Sequence, residues 1–223
     1  LKFRLFSLLL GIALALQPLN LSAGQPSESV ALLERFNDMG ELQAMCTAYS
    51  TVSQGEIVWM SAGHCVTTEE APSVVLMDGY KIGGVPAQVI VANIPKDIAM
   101  FKGGKSTPRL ELADKKVKQG DSVYVLGFPL FFSELIFTPG TIAHIGFQAT
   151  NWPGGRMILN LASANGNSGA PVLNQRGELV GMITGGFCRI SNPFGVPIEY
   201  QGFCSMSAGI PQDTLIKFIT ERK

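Results

Sequence analysis

Positive charge is nowhere concentrated in this chain. Seventeen lysines and arginines are balanced by seventeen aspartates and glutamates over 223 residues, and no basic stripe appears. A nucleic-acid partner, which requires a surplus of cations to neutralise phosphates, is therefore not expected. Charged residues make up only 15% of the chain against 46% hydrophobic ones, a balance that excludes disorder and permits a substantial core. Histidine is scarce, with His64 and His144 alone, and neither CxxC nor HxxxH spacing occurs. A zinc site at Cys46, His64 and Cys65 thus lacks ligand spacing, and adjacent His-Cys side chains seldom converge on one metal. No repeat of solenoid period is visible either.

The apolar run Leu5 to Leu16 is short for a membrane-spanning helix. Lys2 and Arg4 precede it, and Pro18 with a small-residue segment around Ser22, Ala23 and Gly24 follows it. Residues 1–23 therefore read as a secretory signal peptide, with an uncleaved anchor as the competing reading. No cysteine lies at the expected cut, so a lipoprotein has no support. The expected location is secreted or periplasmic, with no stable membrane association after signal cleavage.

Residues 24–40 read as an N-terminal arm or short propeptide, with Val30, Leu33 and Phe36 at helical spacing. From Cys46 onward, short Val, Ile and aromatic runs are broken every eight to twelve residues by Gly, Pro, Asn or Asp. That rhythm signals an all-β sandwich or barrel. The runs include 56–60, 73–77, 87–91 and 97–101, then 122–128, 134–146, 156–161, 170–173, 178–184 and 203–209. The polar stretch Ala113 to Asp121 divides them, which predicts a first β-barrel over 41–115 and a second over 116–223. At the end, Leu215, Ile216, Phe218 and Ile219 form the apolar face of a predicted C-terminal α-helix.

Three segments carry chemistry. In GNSGAP, glycines flank Ser168 and let the backbone turn sharply, so that the amides of Gly166 and Ser168 can both face a developing oxyanion. A serine hydroxyl needs a base, and His64 in SAGHC is the candidate. That imidazole needs a carboxylate to hold its tautomer; Asp97 opens the apolar run DIAMF, whereas Asp78, Asp114 and Asp121 sit in turn or linker settings. His144 lies in an alternating run and reads as structural. Each of these residues alone has a bland reading, as turn, surface or cap; their company makes the case.

SAGHC, DIA and GNSGAP together resemble the three signature segments of trypsin-like (chymotrypsin-fold) serine peptidases. The resemblance runs from about Cys46 to Phe218 and is nearest the compact bacterial branch, similar to glutamyl endopeptidases and HtrA-type protease domains. His64 and Asp97 are 33 residues apart and Asp97 and Ser168 are 71 apart, leaving little room for long surface loops. The resemblance implies two antiparallel six-stranded β-barrels with a C-terminal helix on the second, and a catalytic His64, Asp97 and Ser168. It also implies Gly166 and Ser168 as oxyanion donors and peptide or protein substrates, with no cofactor.

In an exported chain an even cysteine count reads as a disulfide framework, although four cysteines allow three pairings. Cys46 and Cys65 bracket an apparent hairpin turning at Gln54-Gly55, which would bring them together, and the resemblance implies the same bridge. Cys188 and Cys204 are then left as partners.

Two departures from the trypsin pattern matter. Asn167 stands where trypsins carry Asp, and no IVGG-like segment follows the signal, so activation by a buried new N-terminus is not expected. Ala162 stands where trypsin has the aspartate that selects Lys and Arg, and Ile183 where glutamyl endopeptidases have histidine. A pocket built from Ala162, Ser163, Asn165, Thr184, Gly185 and Gly186, with Gly202 near it, would suit small or medium neutral side chains. The rim 189–203 could set specificity or be a stapled surface loop. An esterase shares the chemistry but lacks its GxSxG elbow here, since Gly166 and Ala170 flank Ser168 at two residues. The expectation is a serine endopeptidase whose activity rises with pH as the imidazole loses its proton; an inactive peptidase-like binding protein is the alternative. Oligomeric state is not legible.

Overall fold

A computed structural model describes residues 25–68, 70–149, 152–187 and 205–221. The signal-like segment, Cys188, Cys204, Gly202 and the rim 189–203 lie outside the described residues.

The first barrel is organised by a two-residue turn. Gln54 and Gly55 both have positive φ, 52° and 83°, which matches strand twist and pairs Ser53 with Glu56. This joins β2 (Leu42–Ser53) to β3 (Glu56–Ser61). With β1 (Val30–Phe36), β4 (Tyr80–Ile82), β5 (Val85–Asn93) and β6 (Ile98–Gly103), they close an antiparallel barrel in the order β1-β2-β3-β6-β5-β4. The second barrel runs β10-β11-β12-β9-β8-β7, from β7 (Ser122–Gly127), β8 (Ile136–Ala149), β9 (Trp152–Asn160), β10 (Pro171–Asn174), β11 (Leu179–Phe187) and β12 (Met206–Pro211). Closure leaves neither sheet with an unpaired edge, the arrangement that short strands with frequent turns favour.

Two local expectations are corrected. Val30–Phe36 is a strand and not a helical arm, so the first barrel begins at residue 30, ahead of 41. Leu33 lies opposite Cys46 on β2 and opposite Ile82 on β4, and Val30, Ala31 and Leu33 are buried. The gap between β2 and β4 can be closed only by this segment, and that long-range pairing outweighs a local helical spacing. Residues 73–77 form no strand; Val74 and Met77 are exposed, and the strand is the shorter β4 that follows. Only Val75 packs on the core, and the run's backbone is bonded singly, Leu76 to Val66 and Val89 to Met77, without a ladder.

Trp59, Tyr80 and Phe101 fill the first barrel, while Met157, Leu159 and Val172 fill the second. A third cluster lies between them, with Tyr49, Met60 and Met100 from one side meeting Leu126, Phe128 and Met182 from the other. The α-helix α1 (Gln212–Thr220) seals this seam with Leu215 and Ile219, and the Ser53 hydroxyl donates to the Ile219 carbonyl at 2.7 Å. The helix thus belongs to both barrels, not to the second alone. Between β6 and β7 the chain crosses over, bonded first to Ser50 through Leu110 and then to Leu179 through Ala113.

Cys46 on β2 and Cys65 just beyond β3 are joined by a disulfide 19 residues apart in sequence. Closing a loop of that size limits the unfolded chain by about 3 kcal/mol in the chain-entropy model. Replacing both cysteines by alanine is expected to lower the unfolding free energy by about that amount, read from a urea titration.

Candidate active site

The histidine corner is built on a close approach. After β3, Gly63–Val66 form one 3-10 turn, and a Cβ on Gly63 would stand 2.9 Å from the Ile98 nitrogen and 3.0 Å from the Asp97 Cα. Only glycine lets this turn lie against the one that carries Asp97. Asp97 itself has φ 61° and ψ 47°, a left-handed conformation that aspartate tolerates better than most residues. The Asn93 side chain accepts from the Lys96 amide at 3.0 Å and fixes the preceding turn.

These two turns put the carboxylate around the histidine. Asp97 Oδ1 accepts from the His64 amide at 2.8 Å and lies 3.0 Å from Nδ1, with Oδ2 at 3.1 Å. An ionised carboxylate only accepts, so Nδ1 carries the proton and the lone pair of the neutral ring is on Nε2. The Asp97 side chain is 18% exposed and that of His64 47%, so the imidazole faces solvent with its orienting anion behind it.

The serine turn comes from the second barrel and leans on the first. Gly166 has φ 95°, and a Cβ there would lie 2.1 Å from the Phe128 carbonyl; Gly169 has φ 86° and equally little room beside the Thr47 carbonyl. Around them, Ala170 bonds back to Asn167 and Asn167 back to Ala164, while Gly169 bonds to Ile183. The Leu130 amide holds the Asn165 carbonyl at 2.6 Å, so the N–H of that trans peptide, on Gly166, points the opposite way. Among the described residues, neither the Gly166 nor the Ser168 amide donates to a protein acceptor.

Thr47, which no sequence pattern singles out, ties these parts together. It is wholly buried on β2. Its amide donates to the Ser168 carbonyl at 2.8 Å, and its hydroxyl donates to the Gly166 carbonyl at 2.7 Å and accepts from the Phe128 amide at 3.1 Å. Its carbonyl accepts from the Ser61 hydroxyl, at the entrance to the histidine corner, at 2.8 Å. Thr47→Val keeps the shape but leaves the Gly166 carbonyl and the Phe128 amide unpaired inside the protein. A loss of about 2 kcal/mol is expected in thermal or urea unfolding, since each stranded group carries a desolvation cost.

His64 and Ser168 line one cleft of about 570 Å³ with Asn165, Gly166, Phe131 and the Cys46–Cys65 bridge. No hydrogen bond among the described residues joins the Ser168 hydroxyl to the imidazole. Of the other residues expected to form the substrate pocket, Ala162 and Ser163 line an adjoining pocket of about 210 Å³ with Pro129, Leu130, Phe132 and Asn167. Thr184, Gly185 and Gly186 lie on β11 and line neither space. A larger groove of about 840 Å³ on the first barrel contains none of these groups, and its Asp78 and Gln88 are bonded to each other at 2.7 Å. The possible ligand atoms of Cys46, His64 and Cys65 fall within 4.8 Å of one another, but both sulfurs are spent in the disulfide and offer no thiolate.

Two closed barrels, a carboxylate-held histidine from one, and a glycine-flanked serine turn from the other make this the chymotrypsin-type peptidase architecture. The chain belongs to the trypsin-like peptidase domain family, whose model matches residues 46–182. It is 29% identical over 168 residues to a probable periplasmic serine endoprotease DegP-like of Pseudomonas putida strain F1, covering 71% of this chain and 34% of that protein. A protein of the same name from Ectopseudomonas mendocina is 28% identical over 171 residues. The chain therefore spans about a third of the length of these curated relatives. Among solved structures, the HtrA-type protease AlgW with tripeptide superposes with a TM-score of 0.64 at 19% identity, over 88% of this chain and 60% of that one. The Rv3671c protease from M. tuberculosis, in its active form, gives 0.63 at 16% identity, over 89% and 83%. At these identities the superpositions speak for the fold.

Proposed function

We propose that the chain is an exported serine endopeptidase in which Ser168 is the nucleophile, His64 the general base and then acid, and Asp97 the group that orients the imidazole. The observation that carries this reading is the double hold of Asp97 on His64, through backbone amide and ring, inside the cleft that Ser168 also lines.

As the Ser168 oxygen attacks the scissile carbonyl carbon, its proton passes to Nε2, and the imidazolium is stabilised by the Asp97 carboxylate. The carbonyl oxygen becomes an oxyanion, for which the amides of Gly166 and Ser168 are the candidate donors, worth about 3 kcal/mol each. The same proton then goes to the leaving amine and the acyl group stays on Ser168. Water repeats the sequence and releases the acid. The unformed Ser168–His64 bond accords with a site that tightens when substrate excludes water, as is common in unliganded enzymes.

The 210 Å³ pocket beside Ser168, walled by Ala162, Ser163, Leu130 and Phe132 with no charged group, favours small or medium neutral side chains before the cut. Export accords with the Cys46–Cys65 bridge, with the apolar leader-like start, and with the periplasmic relatives. Protein or peptide chains are the substrates, and the chemistry calls for no cofactor.

A fluorophosphonate probe tests the reading on folded, disulfide-intact protein. Labelling of Ser168, abolished in His64→Ala, is the expected result. Absence of label from the well-folded protein would instead mark a binding protein on a peptidase scaffold.

A further inference from the structure

Arg156 opens the apolar stretch of β9 in the second barrel, yet only 3% of its surface is exposed. A guanidinium stays charged under all ordinary conditions, and burying it is costly without a counter-charge. Part of its hold comes from the other barrel. Nη1 donates to the Lys96 carbonyl at 3.2 Å, in the residue directly before Asp97, and β9 packs against the 94–96 turn. Burial draws the guanidinium pKa down, and the Asp97 carboxylate opposes that shift. The other charged groups beside this turn, Lys96, Lys217 and Glu221, line a separate hollow on its outer side.

The turn needs such a hold. Asp97 is in a left-handed conformation that costs on the order of 1 kcal/mol and persists only where its surroundings impose it. Within the first barrel, Asn93 fixes the Lys96 amide and Ile94 the Asp97 amide. The Lys96 carbonyl is held from the other barrel, by Arg156. A shift of the barrels against each other would therefore move the carboxylate that orients His64.

We propose that Arg156 is the positioning residue for the Asp97–His64 pair: reaching from the second barrel, its guanidinium pins the turn that presents Asp97. The two barrels then contribute jointly to the base as well as to the serine. This inference rests on the catalytic reading above for its consequence in turnover, but not for its structural content.

The test compares wild type with Arg156→Met and Arg156→Gln, which remove the charge, and with Arg156→Lys, which keeps it and one donor. In the neutral variants kcat should fall on the order of 100-fold with KM little changed, the scale of loss when a catalytic group is misplaced by about 1 Å. Arg156→Lys should recover at least tenfold of that loss. The low-field proton resonance of the His64 Nδ1–H bonded to Asp97 should disappear in the neutral variants and persist in the lysine variant. A neutral variant that is folded by near-ultraviolet circular dichroism and keeps both kcat and this resonance would overturn the proposal, as would a folded lysine variant that recovers neither. If wild type neither cleaves peptides nor takes the fluorophosphonate, the catalytic reading fails by itself, and the resonance still decides the role of Arg156.

Discussion

Ser168→Ala is expected to reduce kcat for a peptide substrate by about a million-fold while leaving the melting temperature within a few degrees of wild type. The magnitude follows from the site's division of labour. Without the hydroxyl, His64 and Asp97 have no serine to activate, and what remains is binding and the amides of Gly166 and the residue at 168, which can still stabilise the oxyanion formed when a water placed by chance attacks the carbonyl. The fold should be indifferent, because the turn is held by its backbone: the 168 carbonyl accepts from Thr47, the Gly169 amide donates to Ile183, and the Ser168 hydroxyl takes part in neither bond. A purified S168A protein that still cleaves at the wild-type rate would remove Ser168 from the mechanism.

Asp97→Asn is the second large effect, expected at about ten-thousand-fold in kcat. Here the geometry sets the direction. Asp97 Oδ1 accepts from the His64 backbone amide, which can only donate, so an asparagine must turn its oxygen toward that amide. Its NH₂ group then faces Nδ1, which must become an acceptor, and the ring proton moves to Nε2. A ring in that tautomer has no lone pair for the serine proton. The variant should fold normally, react with fluorophosphonate far more slowly than wild type, and show no Nδ1 proton resonance in spectra of the imidazole. Wild-type turnover in D97N would mean that the imidazole needs no carboxylate.

What could be read from the sequence differs from what could not by the range of the interaction involved. The corner SAGHC, the start of DIAMF and the turn GNSGAP are recognisable because the residue types they need are written within a few positions of each other, although the main chains that force glycine at 63, 166 and 169 come from far along the chain. The barrel rhythm was legible for the same reason, since turns such as Gln54-Gly55 announce themselves within a few residues. Val30–Phe36 was misread because its strand pairing is with β2 and β4, far along the chain, and its local pattern is equally good for a helix. Thr47 carries no signal of its own. A threonine beside a cysteine in a strand has no distinguishing pattern, and its value lies in partners some 119 residues away. Arg156 did leave one signal, a charge at the head of the apolar run RMILNL that the barrel interior could accept only with a partner. The lining of the 210 Å³ pocket is only partly legible. Ala162 and Ser163 line it, but much of its remaining wall is the 129–132 segment, tied there by the Leu130–Asn165 bond and not by any motif, with Ile136 and Thr138 of β8.

In the proposed mechanism an acyl group passes through the oxygen of Ser168. Mixing the protein with an activated ester of a short acyl-peptide, quenching in acid during turnover, and mapping the added mass by tandem spectrometry tests it directly. The acyl mass is expected on the fragment containing Ser168 and on no other, and none in S168A. Turnover accompanied by an acyl group on a different side chain, or by no covalent species while S168A remains active, would contradict it.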